Sequence, residues 1–411
     1  MTRQPDTSAA SDADLDLGAL YRRLHQFPEL SNQEFRTAEL LADAIHGCGY
    51  ETTTAVGGTG VVGVLRNGDG PVVMLRADID ALPVAEKTGL AYASTERATD
   101  HTGAEVPVMH ACGHDMHAAC LVGAARRLAR TAREWSGTLL LVFQPAEELA
   151  CGARNMVEDG LFERFPVPGI VLGQHVGPLP AGMIGYGSGP LMASADSVQI
   201  VLHGRGSHGS RPEASIDPVL MAAHVVTRLQ GIVSREIAAS ETAVVTVGRL
   251  QAGAKDNIIP DTAELGVNIR TYSEENRAHV KAAVERIVRA EAVASGAERE
   301  PEFDWDISAP VLISDPDATA ATIAAFTAYF GAGRLFPIPV VTASEDVGVF
   351  GAAAGIPTVF WFFGGMNLAG RRMEDLPANH SPFFAPEIEP TLSTGVDALV
   401  VAARTWLAPA S

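Results

Sequence analysis

Met109-His110-Ala111-Cys112-Gly113-His114-Asp115-Met116-His117 leads into an Ala- and Leu-rich run to about Arg130, then into Gly137 to Phe143 and Gln144-Pro145-Ala146-Glu147-Glu148. The run to Arg130 has helical character with Asp115 as a candidate N-cap, and Gly137 to Phe143 is an apolar strand. A helix followed by a strand that ends in polar residues is the pattern of an α/β domain, where function gathers at strand ends. The chemistry of the same passage is that of a metal site. One thiol and three imidazoles stand beside an acid, and Glu147-Glu148 adds an oxygen ligand and a spare carboxylate. Ligands plus a free base suit a hydrolytic metalloenzyme better than a storage site.

Upstream, apolar positions from Leu15 to Gly49 recur at helical spacing, with a break at Phe27-Pro28. Thr59 to Leu65 and Val72 to Arg76 read as short Val-rich strands, and Asn67-Gly68-Asp69-Gly70 between them is a hairpin-type turn signal. The second strand runs into Ala77-Asp78-Ile79-Asp80, placing two acids beyond a buried strand end. Downstream, Ile170 to Gly173 is another apolar strand, ending at Gln174-His175-Val176. This alternation predicts a mixed sheet with parallel pairs and helices on both faces.

After about Met192 the pattern changes. Asp196 to Gly204 alternates as a half-exposed strand, Asp217-Pro218 opens a helix to about Glu236, Thr242 to Gly248 and Ala263 to Arg270 alternate as strands, and Glu274 to Ala294 is an amphipathic helix. That order predicts an antiparallel sheet with helices on one side, an α+β domain over 193–306. It would be inserted into a discontinuous α/β domain made of 15–192 and 307–411, whose second part includes the buried strand Ile356 to Phe363. Residues 1–14 read as a disordered tail.

A chain of 411 residues is long enough for two cores. Its 30 Lys and Arg against 49 Asp and Glu leave a formal net charge of -19, which repels phosphate backbones and anionic membranes. Nucleic acid is therefore not an expected partner. The N-terminal residues lack the basic and apolar regions of a leader, and no apolar run is long enough to span a bilayer, so a cytoplasmic protein is expected. The cysteines Cys48, Cys112, Cys120 and Cys151 are too few for a disulfide framework.

Within the cluster, Gly113 lets the chain bend so that Cys112 and His114 converge. Thiolate and imidazole suit zinc, while manganese and cobalt take mixed nitrogen and oxygen sites. His110 and His117 remain open between ligand and supporting or surface histidine. Glu147 and Glu148, being adjacent, diverge and could divide the work between metal and water, or could form an acidic helix start. His175 and His380 lie in loop contexts far from the cluster and could complete a dinuclear site. Asp78 and Asp80 could orient histidines or merely close a strand.

These residues, together with His25-Gln26-Phe27-Pro28-Glu29-Leu30, Arg76-Ala77-Asp78-Ile79-Asp80-Ala81-Leu82-Pro83 and Asn257-Ile258-Ile259-Pro260-Asp261, occur in an order that resembles the M20 metallopeptidases. The resemblance is to the amidohydrolase branch, with its hippurate and auxin-conjugate hydrolases, and covers nearly the whole chain. It implies a catalytic domain carrying an inserted lid or dimerisation domain, and a homodimer through that insert. It further implies two divalent metal ions per chain, with Cys112, His114, Glu148, His175 and His380 as ligands. Zinc, manganese, cobalt and nickel are all candidates. Glu147 would be the general base and Asp80 the acid that supports a metal ligand. His208, Asn257 and Arg270 in the insert match polar positions near the substrate, which could stabilise an oxyanion or bind a carboxylate.

The expected reaction is hydrolysis of the amide bond of an N-acyl amino acid or similar small amide. A dipeptidase, an N-acetyldiaminopimelate deacetylase type of enzyme, a non-catalytic metal-binding homologue and a structural zinc module are the rivals. The chain departs from the family at Arg211-Pro212-Glu213, where a histidine often follows the proline.

Overall fold

Leu139 to Phe143 and Thr358 to Met366 are buried at every residue, so each strand needs cover on both faces. The computed structural model, which describes residues 2–3 and 16–410, places both in the middle of one mixed sheet. Its centre is four parallel strands in the order Trp135–Gln144, Val72–Asp78, Ile170–Pro180, Thr358–Met366. Gly60–Asn67 flanks Trp135–Gln144 antiparallel, and Glu51–Val56 lies outside it. On the far side Ile184–Tyr186 runs antiparallel to Thr358–Met366, and Leu335–Pro337 runs parallel to Ile184–Tyr186. The expected tail lies outside the described residues, apart from Thr2–Arg3, whose backbone pairs with Glu51–Val56.

This sheet belongs to a unit made of Met1–Gly189, Ile313–Pro339 and Asp346–Ser411. Leu17–Gln26, Phe35–His46, His114–Arg130, Pro316–Phe330 and Thr391–Trp406 bury their apolar residues in one core on one face. Gly152–Glu158 and Gly348–Ala354 pack against the other face. The first helix starts where the Asp16 carboxylate accepts the Ala19 N–H at 3.0 Å, and stops at Phe27 before Pro28. Among the described residues no helix is long and apolar enough to cross a membrane.

Three local expectations are corrected. The turn at Asn67-Gly68-Asp69-Gly70 does not close a hairpin, because Trp135–Gln144 inserts between the two strands, antiparallel to one and parallel to the other. A strand buried on both faces is stable only between neighbours, and the turn therefore spans one strand's width, with the Thr138 N–H donating to Pro71 O at 2.8 Å. Asp115 is not the N-cap of its helix. Gly113, at φ 87°, takes that position, and the Asp115 carboxylate is occupied by the Met116 N–H and by His25. His175 lies within a strand rather than at its end, since Thr358–Met366 continues alongside and pairs His175 with Phe362.

The second unit comprises Pro190–Leu312 and Val340–Glu345. Its four-stranded antiparallel sheet has the order Ala243–Ala252, Thr262–Thr271, Ala195–His203, Glu302–Ala309. Alternate residues Val198, Ile200, Leu202, Leu265, Val267 and Ile269 point to one face, where Pro218–Arg235 and Glu274–Ala294 cover them. Both helices are capped by side chains: Asp217 accepts the Val219 N–H at 2.8 Å and Ser273 accepts the Asn276 N–H at 3.2 Å. Val340–Glu345 joins this unit because the Ala193 N–H donates to Val341 O and Ala343 O.

Candidate metal centre

Three neighbouring parallel strands deliver polar groups to the same end of the sheet. Asp78 closes its strand level with Gln144, Glu147 and Glu148 follow Gln144, and His175 lies two residues past Gly173, which pairs with Arg76. Gly113 starts the buried helix that carries His114 and His117 beside them. Ala146 at 48° and His380 at 69° adopt positive φ without being glycine. Each is held through its amide: the Ala146 N–H donates to Glu34 Oε1 at 2.9 Å and the His380 N–H to Ala111 O at 2.8 Å. Such outliers concentrate where a site overrides local preference.

Among the described residues of the first unit, donor atoms converge in three linked groups, each within 4.8 Å: Cys112, Glu148 and His380; His114, Glu147 and Glu148; and Asp78, His114, His117 and His175. His114 Nε2 lies 3.8 Å from Glu148 Oε1 and 3.9 Å from Glu147 Oε2, and His175 Nε2 lies 3.5 Å from Cys112 Sγ. Donors sharing one ion at about 2.0–2.3 Å each lie no more than about 4.6 Å apart, so separations of 3.5–3.9 Å suit a metal's ligands. His114 Nε2 and Glu148 Oε1 are moreover buried without a hydrogen-bond partner. A buried polar atom left unsatisfied is costly, and a cation between these two would satisfy both. The residues fit a divalent metal centre.

Hydrogen bonds sort the histidines. His114 Nδ1 donates to Asp80 Oδ1 at 3.1 Å, which turns its Nε2 lone pair to the cluster. His175 Nδ1 donates to Val176 O at 2.8 Å, which frees its Nε2 in the same way. His117 differs, since its Nε2 accepts the Val176 N–H at 2.8 Å and its Nδ1 donates to Asp78 at 2.5 Å. Both its nitrogens are spent. His110 is buried outside the three groups with neither nitrogen bonded, and burial pushes its pKa down to about 4. Asp80 also accepts Ser31 Oγ at 2.6 Å and the Glu148 N–H at 3.0 Å, so it holds His114 and Glu148 together.

The field of the cluster favours positive charge. Burial opposes a proton on His114, yet Asp78, Asp80 and Glu148 outweigh it and raise the pKa to about 10. Burial and the nearby Glu148, Glu147 and Asp78 hold the Cys112 thiol well above its usual range, so binding a metal there displaces a proton. Asp78 is balanced by Arg76, whose Nη1 donates to it at 2.9 Å, while Nη2 reaches Asp346 at 3.2 Å and Nε reaches Gln144 at 2.9 Å.

The structure thus gathers Cys112, His114, Glu147, Glu148, His175, His380 and Asp80. In the second unit His208 and Asn257 are neighbours, the Gly209 N–H donating to Asn257 O at 2.8 Å, and His208 Nδ1 lies 2.7 Å from Ser210 Oγ. Arg270, on the strand Thr262–Thr271, donates through Nε to Asn268 and has Nη1 buried without a partner. Arg211 at the departure from the family pairs with Glu213 at 3.3 Å. Sequence reasoning missed Glu34, Ser31 and Asn379, the last donating to Cys112 O at 3.0 Å and Val176 O at 3.2 Å. Only Asn379 carried a signal, its place beside His380.

Residues 74–405 match the family described as peptidase family M20/M25/M40. The chain is 40% identical to an N-acetylcysteine deacetylase of Bacillus subtilis (strain 168) over 72% of this chain and 74% of the relative. It is 38% identical to a hippurate hydrolase of Campylobacter jejuni over 80% of this chain and 83% of the relative. A solved Bacillus subtilis structure described as a dinuclear metal-binding peptidase from the M20 family superposes with a TM-score of 0.74 at 32% identity, covering 95% of this chain and 97% of that one.

Proposed function

This chain belongs to peptidase family M20/M25/M40 and is a metal-dependent amidohydrolase, and from that premise we propose that it frees an amino acid from its N-acyl group. The observation that carries this reading is that the consecutive carboxylates of Glu147 and Glu148 both face His114 Nε2. One can serve a metal while the other serves water. The substrates named for two relatives, N-acetylcysteine and hippurate, are both N-acyl amino acids and support that substrate class.

The proposed ligands of two divalent ions, zinc, manganese, cobalt or nickel, are Cys112, His114, Glu148, His175 and His380. When bound, the metals supply Lewis acidity toward the amide carbonyl and acidify the attacking water. Glu147 takes the proton of that water and passes it to the leaving amine. Asp80 fixes the tautomer of His114 and is a positioning residue. His208, Asn257 and Arg270 are assigned to the substrate's oxyanion and carboxylate. We assign catalysis to the first unit, a lid or dimerising role to the second, a homodimer to the assembly and the cytoplasm as its place.

Glu147→Gln tests the core of this reading. Turnover of N-acyl amino acids should fall by about 10²–10⁴-fold while metal content stays unchanged. Undiminished turnover would remove Glu147 as the base. A panel of N-acyl amino acids and dipeptides, with each metal in turn, separates the deacylase from a dipeptidase.

A further inference from the structure

Val176 is gripped on every side. Its N–H donates to His117 Nε2 at 2.8 Å, and its carbonyl accepts from His175 Nδ1 at 2.8 Å and from Asn379 Nδ2 at 3.2 Å. Its side chain is fully buried against Gly113 and Gly365, where added Cβ atoms would fall 2.4 and 2.7 Å from its two methyl carbons. We propose that His117 and Asn379 are positioning residues of the metal centre, acting through the backbone of Val176 to aim His175 and the Cys112 loop. This rests on the ligand set proposed above.

The tautomer of His117 follows from its partners. An amide N–H can only donate, so Nε2 is the acceptor and Nδ1 carries the proton given to Asp78. Asp78 is in turn clamped by Arg76, and Arg76 by Gln144 and Asp346, all buried. His117 therefore transmits the placement of a rigid charged network to one peptide group. That peptide fixes the backbone where His175 ends, and the Val176 carbonyl sets how the His175 ring turns. A histidine already bonded through both nitrogens acts on the metal through a neighbour rather than as a ligand.

Asn379 completes the arrangement from the other side. Its amide donates to Cys112 O and to Val176 O, and the next residue is His380, whose own N–H donates to Ala111 O. One side chain thus ties the three segments that supply Cys112, His175 and His380.

The test is titration of the full metal-free chain with cobalt(II) alone. Visible absorption and the thiolate-to-cobalt charge-transfer band report binding, and circular dichroism reports folding. His117→Gln can set an oxygen acceptor near the place of Nε2, whereas His117→Asn can set a donor near the place of Nδ1 but offers Val176 no acceptor. The expected result is cobalt affinity within a few-fold of the natural protein for His117→Gln and weaker by about 10–100-fold for His117→Asn. Asn379→Ala, in a half-buried loop, should fold normally, weaken cobalt by about 10-fold and shift the charge-transfer band. Equal affinities for the two His117 variants, or an unchanged titration for Asn379→Ala, overturns the proposal. Cys112→Ser and His175→Ala report on the ligand set separately: if they leave cobalt binding and the band intact, the ligand assignment fails whatever His117 does.

Discussion

Asp80 accepts the Nδ1 proton of His114 at 3.1 Å and so turns the opposite nitrogen of that ring into the cluster. Its second oxygen accepts Ser31 Oγ and the Glu148 N–H, so both oxygens of the carboxylate are engaged. Asp80→Asn replaces one oxygen with a donor that must face either His114 or the Ser31 and Glu148 donors. The expected outcome is a loss of metal affinity of about 10–100-fold, read by competition with a coloured chelator. Ser31→Ala, which removes a single bond, should lose less. Natural affinity in Asp80→Asn would show that His114 is oriented by something else.

His25 lies between Asp115 at 2.7 Å and Glu86 at 3.1 Å, with all three side chains out of solvent. Burial opposes its charge, but the bonds to Asp115 and Glu86 win and raise its pKa from 6.5 to about 10. The folded state thus binds a proton that the unfolded state releases above 6.5. The stability this contributes is complete below 6.5 and is lost as the pH rises through about 10. The urea midpoint should accordingly drift down over that window, and a rising midpoint would argue against a charged His25. At neutral pH His25→Leu leaves two buried carboxylates unpaired and should cost about 3–5 kcal/mol.

How much of this was legible in the chain depends on how far apart the partners lie. Cys112, His114, Glu147 and Glu148 could be singled out because unusual chemistry is packed into short stretches beside strand ends. His175 and His380 stood out only as histidines in loop contexts that could complete a dinuclear site, and the family resemblance supplied their role as ligands, since a lone distant histidine has no local mark. The sequence sets His117 behind His114 but leaves it open between ligand and supporting histidine, because what decides its role is an N–H from Val176, on a strand that folds back from 59 residues away. The glycine-rich turn after Asn67 misled for the same reason: its local signal is that of a hairpin, and the strand that intervenes arrives much later in the chain. Glu34 and Ser31 are ordinary polar residues near helix starts, and nothing periodic points to their targets.

Glu34 carries a second pH effect. Burial, aided by the charge of Asp80, pushes its pKa up from 4.5 to about 7, while its oxygens accept the Ala146 N–H and Thr59 Oγ. The folded protein therefore holds a proton that the unfolded chain has lost, and stability falls as pH rises from 4.5 to about 7, then levels. Glu34→Gln keeps an acceptor for the Ala146 N–H and, without titrating, sets an amide N–H against Thr59 Oγ, which can accept it once the hydroxyl turns. Above pH 7 it should exceed the natural protein in stability by up to ~3 kcal/mol, and near pH 4.5 it should not. Thermal melts of both proteins across this range would check it, parallel curves counting against an ionising Glu34.

Gly113 is the point at which backbone and packing constraints coincide. It adopts φ 87°, and a Cβ there would meet Val176 Cγ1 at 2.4 Å and Phe384 Cε1 at 3.2 Å. Gly103 has nearly the same φ, 86°, with nothing within 4 Å of its would-be Cβ. Gly103→Ala should therefore show backbone strain alone, about 1–3 kcal/mol. Gly113→Ala should add a packing penalty of about 1–3 kcal/mol, because Val176 is wedged and cannot retreat. It should also weaken metal binding, since Cys112 and His114 flank the displaced residue, whereas Gly103→Ala should leave binding intact. Urea unfolding and chelator competition on the two variants measure both differences, and equal behaviour of the pair would mean that Val176 yields to the added methyl.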